Sequence, residues 1–266
     1  MQEQRGGNFG LREEIKAYWS ERAATFDSHP GHEIGSAAEW RAWHALLTRH
    51  LGPGQGRAAL DLATGTAVIA HLMDDLGFRV TGLDWSEPML EQARAKAAFR
   101  GRDIDFLMGD AEFTMLPDAS FDVIVTRHLV WTLVDPPAAF REWRRVLRPD
   151  GRLLVIDGDF VSTTLLARLA SVFERARGWM RGGSGAPDEE AVRLARAHRS
   201  ILERVPFAQG ARADRVAGLL AEAGFERIEV DMHLGPIHRA QARRMTFFKG
   251  ADRLIQHRYA IRADMR

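Results

Sequence analysis

The sequence predicts an α/β protein: a mainly parallel sheet with helices on both faces, an N-terminal helical cap and a helical lid inserted after the fifth strand. Three observations lead there. Short apolar runs alternate with helix-length amphipathic segments from residue 58 to 157. Strands separated by such segments imply right-handed βαβ units in a sheet covered on both sides. A small-residue turn, Asp61-Leu-Ala-Thr-Gly-Thr-Ala67, follows the first strand, and an acid, Asp84, closes the second.

Leu11 to Phe26 carries Leu11, Ile15, Tyr18, Trp19 and Ala23 in helical rhythm. Ser36 to Leu51 repeats the pattern with Trp40, Trp43, Leu47 and Leu51; Ser36 with Glu39 resembles a capping box, and Gly52-Pro-Gly-Gln-Gly56 ends the helix. Strands are expected at Ala58–Leu62, Arg79–Leu83, Ile104–Met108, Phe121–Thr126 and Arg152–Asp157, with helices at Ala67–Leu76, Pro88–Phe99 and Ala138–Leu147. The alternation breaks at Asp159. Val161–Trp179 and Pro187–Val205 read as two lid helices divided by Arg181-Gly-Gly-Ser-Gly185, before a helix at Arg212–Ala223 and strands at Phe225–Asp231 and Met245–Lys249. The expected division is 1–52 cap, 53–160 core, 161–210 lid and 211–266 return to the core.

Composition narrows the function. Apolar residues form 45% of the 266, enough for a substantial core. Lys+Arg 37 against Asp+Glu 36 leaves a net +1 with dispersed arginines, which argues against a nucleic-acid partner. Cysteine is absent, excluding disulfides, thiolate metal sites and a cysteine nucleophile. No apolar run reaches the roughly 18 residues of a membrane span, and the polar N-terminus lacks a signal-peptide core. A cytoplasmic monomer or homodimer without membrane insertion is expected.

Ala63, Gly65 and Ala67 let backbone N–H groups approach a ligand closely at a helix start. Asp84, nineteen residues beyond Gly65, stands at the next strand tip, where a carboxylate can accept both ribose hydroxyls of a nucleoside; alternatively it caps the following helix. A nicotinamide dehydrogenase competes for this turn, but aligning Ala63 and Gly65 with its first two glycines puts branched Val68 at the third. Asp61 also suits a ligand with an ammonium group better than a pyrophosphate.

The run resembles motif I of the class I S-adenosylmethionine-dependent methyltransferases, D-x-G-x-G-x-G, with Ala63 and Ala67 replacing glycines. Gly82-Leu-Asp-Trp-Ser86 with Pro88-Met-Leu90, Gly109-Asp-Ala-Glu112, Phe121-Asp-Val-Ile-Val125 and Arg145-Val-Leu-Arg-Pro-Asp-Gly-Arg152 resemble later family segments in the family's order. The resemblance covers about residues 11–160 and implies a Rossmann-like core binding S-adenosyl-L-methionine and releasing S-adenosyl-L-homocysteine. It implies cofactor contacts from Tyr18, Arg22, Asp61, Ala63, Gly65, Asp84, Trp85, Met89, Asp110, Ala111 and Arg127, with Asp110 accepting from the adenine amine.

It also places the methyl acceptor at the end of the fourth strand, Thr126-Arg127-His128. His128, which titrates near neutrality when unperturbed, is expected to act as a base, to orient the acceptor, or to hydrogen-bond the N-terminal helix. Arg127 pairs with a cofactor or substrate carboxylate, or with an acid of the cap. Trp19, Phe26, Trp131, Asp157, Phe160, Trp179 and Phe207 are expected around a small, aromatic or heterocyclic acceptor, with His29, His198 and His238 as further contacts. No metal is expected: Asp157 and Asp159 read as polar rim residues. Without cysteines, the arsenic-methylating branch is excluded. A nicotinamide-dependent oxidoreductase and a non-catalytic partner subunit of methyltransferase-like fold remain the alternatives.

Overall fold

In the computed structural model, residues 2–29, 31–161 and 189–265 are described. Helix α1 (Gln2–Arg22) runs into a 3-10 turn (Ala23–Ser28) and α2 (Ala37–Leu51). The alternating core then comprises β1 (Ala58–Leu62), α3 (Val68–Asp75), β2 (Arg79–Asp84), α4 (Glu87–Phe99), β3 (Asp105–Met108), β4 (Phe121–Arg127), α5 (Pro136–Val146) and β5 (Leu147–Gly158). After it come α6 (Glu189–Arg204), α7 (Ala213–Glu222), β6 (Glu226–Asp231), α8 (Gly235–Ala242), α9 (Phe247–Ile255) and β7 (Arg258–Asp264).

The seven strands lie in the order β3-β2-β1-β4-β5-β7-β6, with β7 antiparallel to both neighbours. β1 and β4 occupy the centre, and every residue of β1 is buried, as an apolar run in a sheet covered on both faces requires. One face packs α5 and α7 around Phe140, Trp143 and Leu220; the other packs α2 and α3 around Trp43, Leu47 and Met73. Ser36 caps α2 by accepting from Glu39 N at 3.1 Å, while Glu39 reaches back to Gly35 N, one residue before the expected capping-box partner. Trp40 departs from the stripe assigned to α2: it is 38% exposed and donates to Asp75.

Two elements differ from expectation. The strand expected at Met245–Lys249 is the start of α9, opened by Gly250 N donating to Thr246 O at 2.7 Å. The Phe247-Phe248 pair resembles a strand, yet Phe247 is 82% exposed and finds no sheet edge. The closing strand is β7, whose Arg258, Arg262 and Asp264 hide the apolar Tyr259, Ala260, Ile261 and Ala263 from a hydropathy reading.

Beyond Val161, the expected lid helix Val161–Trp179, its glycine hinge and Trp179 lie outside the described residues. The helix expected at Pro187–Val205 corresponds to α6, seated on α1. Ile201 and Val205 pack with Leu11, Ile15 and Tyr18, and Arg204 and Arg193 pair with Glu14 and Glu21. α1 and α6 therefore form one packed layer, in which Tyr18 and His198 stack at 5.5 Å.

Candidate active site

The turn after β1 sets the floor of the site. Ala63, Gly65 and Ala67 all adopt left-handed backbone, at φ 55°, 55° and 69°. The turn is held there by its own hydrogen bonds, Thr64 N to Leu83 O at 3.0 Å, Ala67 N to Thr64 O at 2.9 Å and Gly65 N to Asp84 Oδ2 at 2.9 Å. Beneath it, Asp61 accepts from Thr64 Oγ1 at 2.6 Å and from Ala70 N at 3.0 Å, tying strand end to helix start. Burial pushes its carboxyl up to about 7. Left-handed alanine is strained by about 1 kcal/mol or more. Ala63→Gly, at a half-buried position, is therefore expected to raise stability by about 0.5–1 kcal/mol; a lower urea midpoint would show that the methyl group packs usefully.

Asp84 closes β2. Its Oδ2 accepts from Gly65 N and its Oδ1 from Ser86 N, each at 2.9 Å, and burial pushes it up to about 6. Ser86, whose hydroxyl accepts from Met89 N, caps α4, so Asp84 is free of that duty and faces the cavity. At the end of β3, Asp110 accepts from Glu112 N at 2.8 Å. Glu112 receives Val134 N and Asp135 N and pairs with Arg12 of α1 at 2.7 Å, fastening cap to core.

At the end of β4, Arg127 donates to His32 O at 2.8 Å and lies over the Trp43 ring. His128 follows in left-handed backbone, φ 62°. Its ring meets Phe160 edge-on at 4.9 Å, and its Nε2 accepts from Arg258 Nη1 at 3.4 Å. Burial, then Arg258 and Arg127, hold His128 well below the ordinary histidine range, so the ring is neutral. Trp19, Phe26, Trp131 and Phe160 form a chain of edge-to-face aromatics with centroids 5.8–6.1 Å apart.

These groups line one cavity of about 320 Å³. All eleven residues expected to contact the cofactor border it, as do His128, Trp19, Phe26, Trp131 and Phe160. Two expectations need correction. Asp157 does not reach the cavity: it is buried, accepting from Val130 N at 2.7 Å and Gly158 N at 2.8 Å. It thereby fixes the turn carrying Trp131. Phe207 is wholly buried in the α5–α7 core with Arg215 over its ring, because the chain leaving α6 dives back to the sheet. His198 does line the cavity, stacked on Tyr18 at 5.5 Å, whereas His238 is buried elsewhere.

The sequence reading missed His32, Glu112, Arg253 and Arg258 at this site. Only Glu112 left a signal, as the last residue of the Gly109-Asp-Ala-Glu112 run. Among the described residues no His/Asp/Glu group is arranged to hold a metal, and no helix is long and apolar enough to cross a membrane.

The donor set fits a sulfonium nucleoside. Buried carboxylates at Asp61 and Asp84 are acceptors of the kind an ammonium and a diol require, small residues leave room for backbone contact, and Arg22 leaves a buried Nε without a partner. A family described as a methyltransferase domain matches residues 60–155. The ubiquinone/menaquinone biosynthesis C-methyltransferase UbiE of Bdellovibrio bacteriovorus is 32% identical over 163 residues, 60% of this chain and 68% of that protein. The demethylmenaquinone methyltransferase of Mycolicibacterium paratuberculosis is 32% identical over 69% of this chain and 75% of its own length.

The chain belongs to the class I S-adenosylmethionine-dependent methyltransferases. The demethylmenaquinone methyltransferase of Thermus thermophilus is 36% identical over 47% of this chain, a match spanning only 56% of that relative. In fold, this methyltransferase resembles Haemonchus contortus phosphoethanolamine N-methyltransferase 2 bound to S-adenosylhomocysteine (TM-score 0.61, 17% identity, 92% of this chain and 57% of that one). It also resembles a SAM-dependent methyltransferase from Aquifex aeolicus (TM-score 0.58, 17% identity, 93% and 98%). With cofactor class and fold in place, the nicotinamide reading of the β1 turn falls away.

Proposed function

We propose that the chain transfers the methyl group of S-adenosylmethionine to an O, N or C atom of a small aromatic or heterocyclic acceptor held between Trp19, Phe26, Trp131 and Phe160. The observation that carries this reading is the aromatic wall in the same cavity as the motif I turn. That the relatives above are named for quinone-type acceptors agrees with a planar ring at this place.

The cofactor supplies a methyl group already activated on sulfur, so the protein's task is alignment and exclusion of water. Asp84 and the Ala63–Ala67 turn hold the nucleoside side, and Asp110 the base. Tyr18 and Arg22, linked by a 2.9 Å hydrogen bond, close the cavity from α1. Trp19, Trp131 and Phe160 orient the acceptor ring and keep water out. Because Arg258 occupies Nε2 of His128, the imidazole proton is assigned to Nδ1. A neutral ring whose basicity is held down by burial and then by two guanidiniums suits orienting an acceptor hydroxyl or amine better than storing its proton.

His128→Asn, which tolerates the left-handed backbone, is expected to keep S-adenosylhomocysteine affinity within about threefold and to lower turnover about 10–100-fold through lost alignment. Turnover within twofold of wild type would assign His128 a purely structural part. The whole reading is tested by methyl transfer from isotopically labelled cofactor to phenolic, catecholic and heteroaromatic acceptors. It is overturned if the protein binds S-adenosylhomocysteine yet labels none of them.

A further inference from the structure

The acceptor side of the cavity is unusually rich in buried cations. Arg258 is 9% exposed and lines the cavity beside Arg127 and Arg253. Its side chain has three partners, none of them anionic: Nε donates to Gln256 Oε1 at 3.1 Å, Nη1 to His128 Nε2 at 3.4 Å, and the guanidinium faces the Phe160 ring at 5.0 Å. Its Nη2 makes no hydrogen bond, and no carboxylate lies within 4 Å of the guanidinium, among the described residues. Arg127 has likewise only a backbone carbonyl and an aromatic face.

The nearby acids are otherwise committed. Asp157 accepts from two backbone amides, and Asp61, whose Oδ2 takes both Thr64 and Ala70, keeps its Oδ1 for the cofactor side. Burial opposes the charge on Arg258 most, then Arg253 and Arg127, and Asp157 and Asp252 offset this only in part. Arg258 and Arg127, two cations on one wall with no carboxylate bonded to either among the described residues, are costly in the free protein and are relieved when an anion enters.

Position separates Arg258 from the cofactor cradle. Asp61, Gly65, Asp84 and Asp110 sit at the ends of β1, β2 and β3, whereas Arg258 opens β7, opposite Gly158 at the end of β5. β7 stands three strands from β1, about 14 Å across the sheet. Arg22, on α1 beside Tyr18, is placed to meet a cofactor carboxylate, which leaves Arg258 for another ligand. Its guanidinium is held against Phe160 and His128, the aromatic and imidazole walls assigned to the acceptor.

Resting on the methyltransferase reading above, we propose that the methyl acceptor carries an anionic group, a carboxylate or a phosphate, received by Arg258 with Arg127 behind it. The planar fork of Arg258 suits a bidentate oxyanion, and the flanking Phe160 ring suits an aromatic body attached to it.

The test is calorimetric titration of the S-adenosylhomocysteine-saturated protein with benzoate, phenyl phosphate and benzamide, which share a ring and differ in charge. At least one anion is expected to bind ten times more tightly than benzamide, the tighter of the two naming carboxylate or phosphate. In Arg258→Gln, checked for cofactor binding, the preference should fall below threefold; Arg258→Lys should retain part of it. Equal affinities in the wild type, no measurable anion binding, or a preference that survives in Arg258→Gln overturns the proposal. If S-adenosylhomocysteine itself fails to bind, the methyltransferase reading falls and takes this inference with it. Cofactor binding without anion preference overturns the inference alone.

Discussion

Asp84→Ala should weaken S-adenosylhomocysteine binding at least about 100-fold. A carboxylate accepting two ribose hydroxyls makes charge-assisted hydrogen bonds worth about 1.5–3 kcal/mol each, and losing both exceeds the 2.7 kcal/mol of a hundredfold change. The same side chain holds Gly65 N and Ser86 N at 2.9 Å, so its removal also loosens the β1 turn. Asp84→Asn separates the two effects: it keeps an acceptor for one amide, and its melting temperature reports whether the turn survives.

The pH dependence supplies an independent readout. Burial raises Asp84 to about 6 and Asp61 to about 7. Ligand hydroxyl and ammonium groups donate to the ionised forms, so binding releases protons and affinity falls as pH drops through 7 and then 6. In Asp84→Asn only the upper step should remain. Calorimetric affinity of Asp84→Ala within threefold of wild type would reduce Asp84 to a brace for the turn.

Much of this site was legible because its chemistry sits where chain punctuation is strongest. Asp61, Gly65, Asp84 and Asp110 each end a strand or open a turn, positions that apolar runs and glycines mark in the sequence. Arg258 was not legible, for a topological reason. β7 runs antiparallel, so its first residue, rather than its last, arrives at the carboxyl end of the sheet beside Gly158. A reading that looks for ligands after each strand searches the wrong end of this one.

The strand itself was masked by its polar residues, and the Phe247-Phe248 pair places the expected strand thirteen residues early. Phe207 and Asp157 failed differently. Both lie close in sequence to segments bordering the site, but Phe207 turns into the core and Asp157 turns to backbone amides. Proximity along the chain does not encode side-chain direction. Glu112 belongs to the run whose Asp110 is expected to read adenine, yet its carboxylate points to the start of α5 and to α1.

That residue carries the largest expected effect on stability. Glu112→Ala strips the acceptor from two backbone amides, Val134 N at 2.7 Å and Asp135 N at 2.8 Å, and leaves Arg12 without its partner at the junction of cap and core. The Glu112 side chain is 5% exposed, so water cannot replace it cheaply, and breaking a buried pair from one side costs about 3–5 kcal/mol. At roughly 2–4 °C per kcal/mol for a chain of this size, the melting temperature should fall by about 10 °C. Glu112→Gln keeps one carbonyl acceptor and the shape, and should lose about half as much. Arg12→Ala removes the cap's tether while leaving both amides satisfied. It should cost less than Glu112→Ala and act mainly by loosening α1, from which Tyr18 and Arg22 reach the cavity. Weaker S-adenosylhomocysteine binding with little change in melting is therefore the signature expected of Arg12→Ala. If Glu112→Ala melts within 2 °C of wild type, the cap is held by α6 and the apolar contacts of Leu11 and Ile15 alone, and the carboxylate serves no structural purpose at the junction.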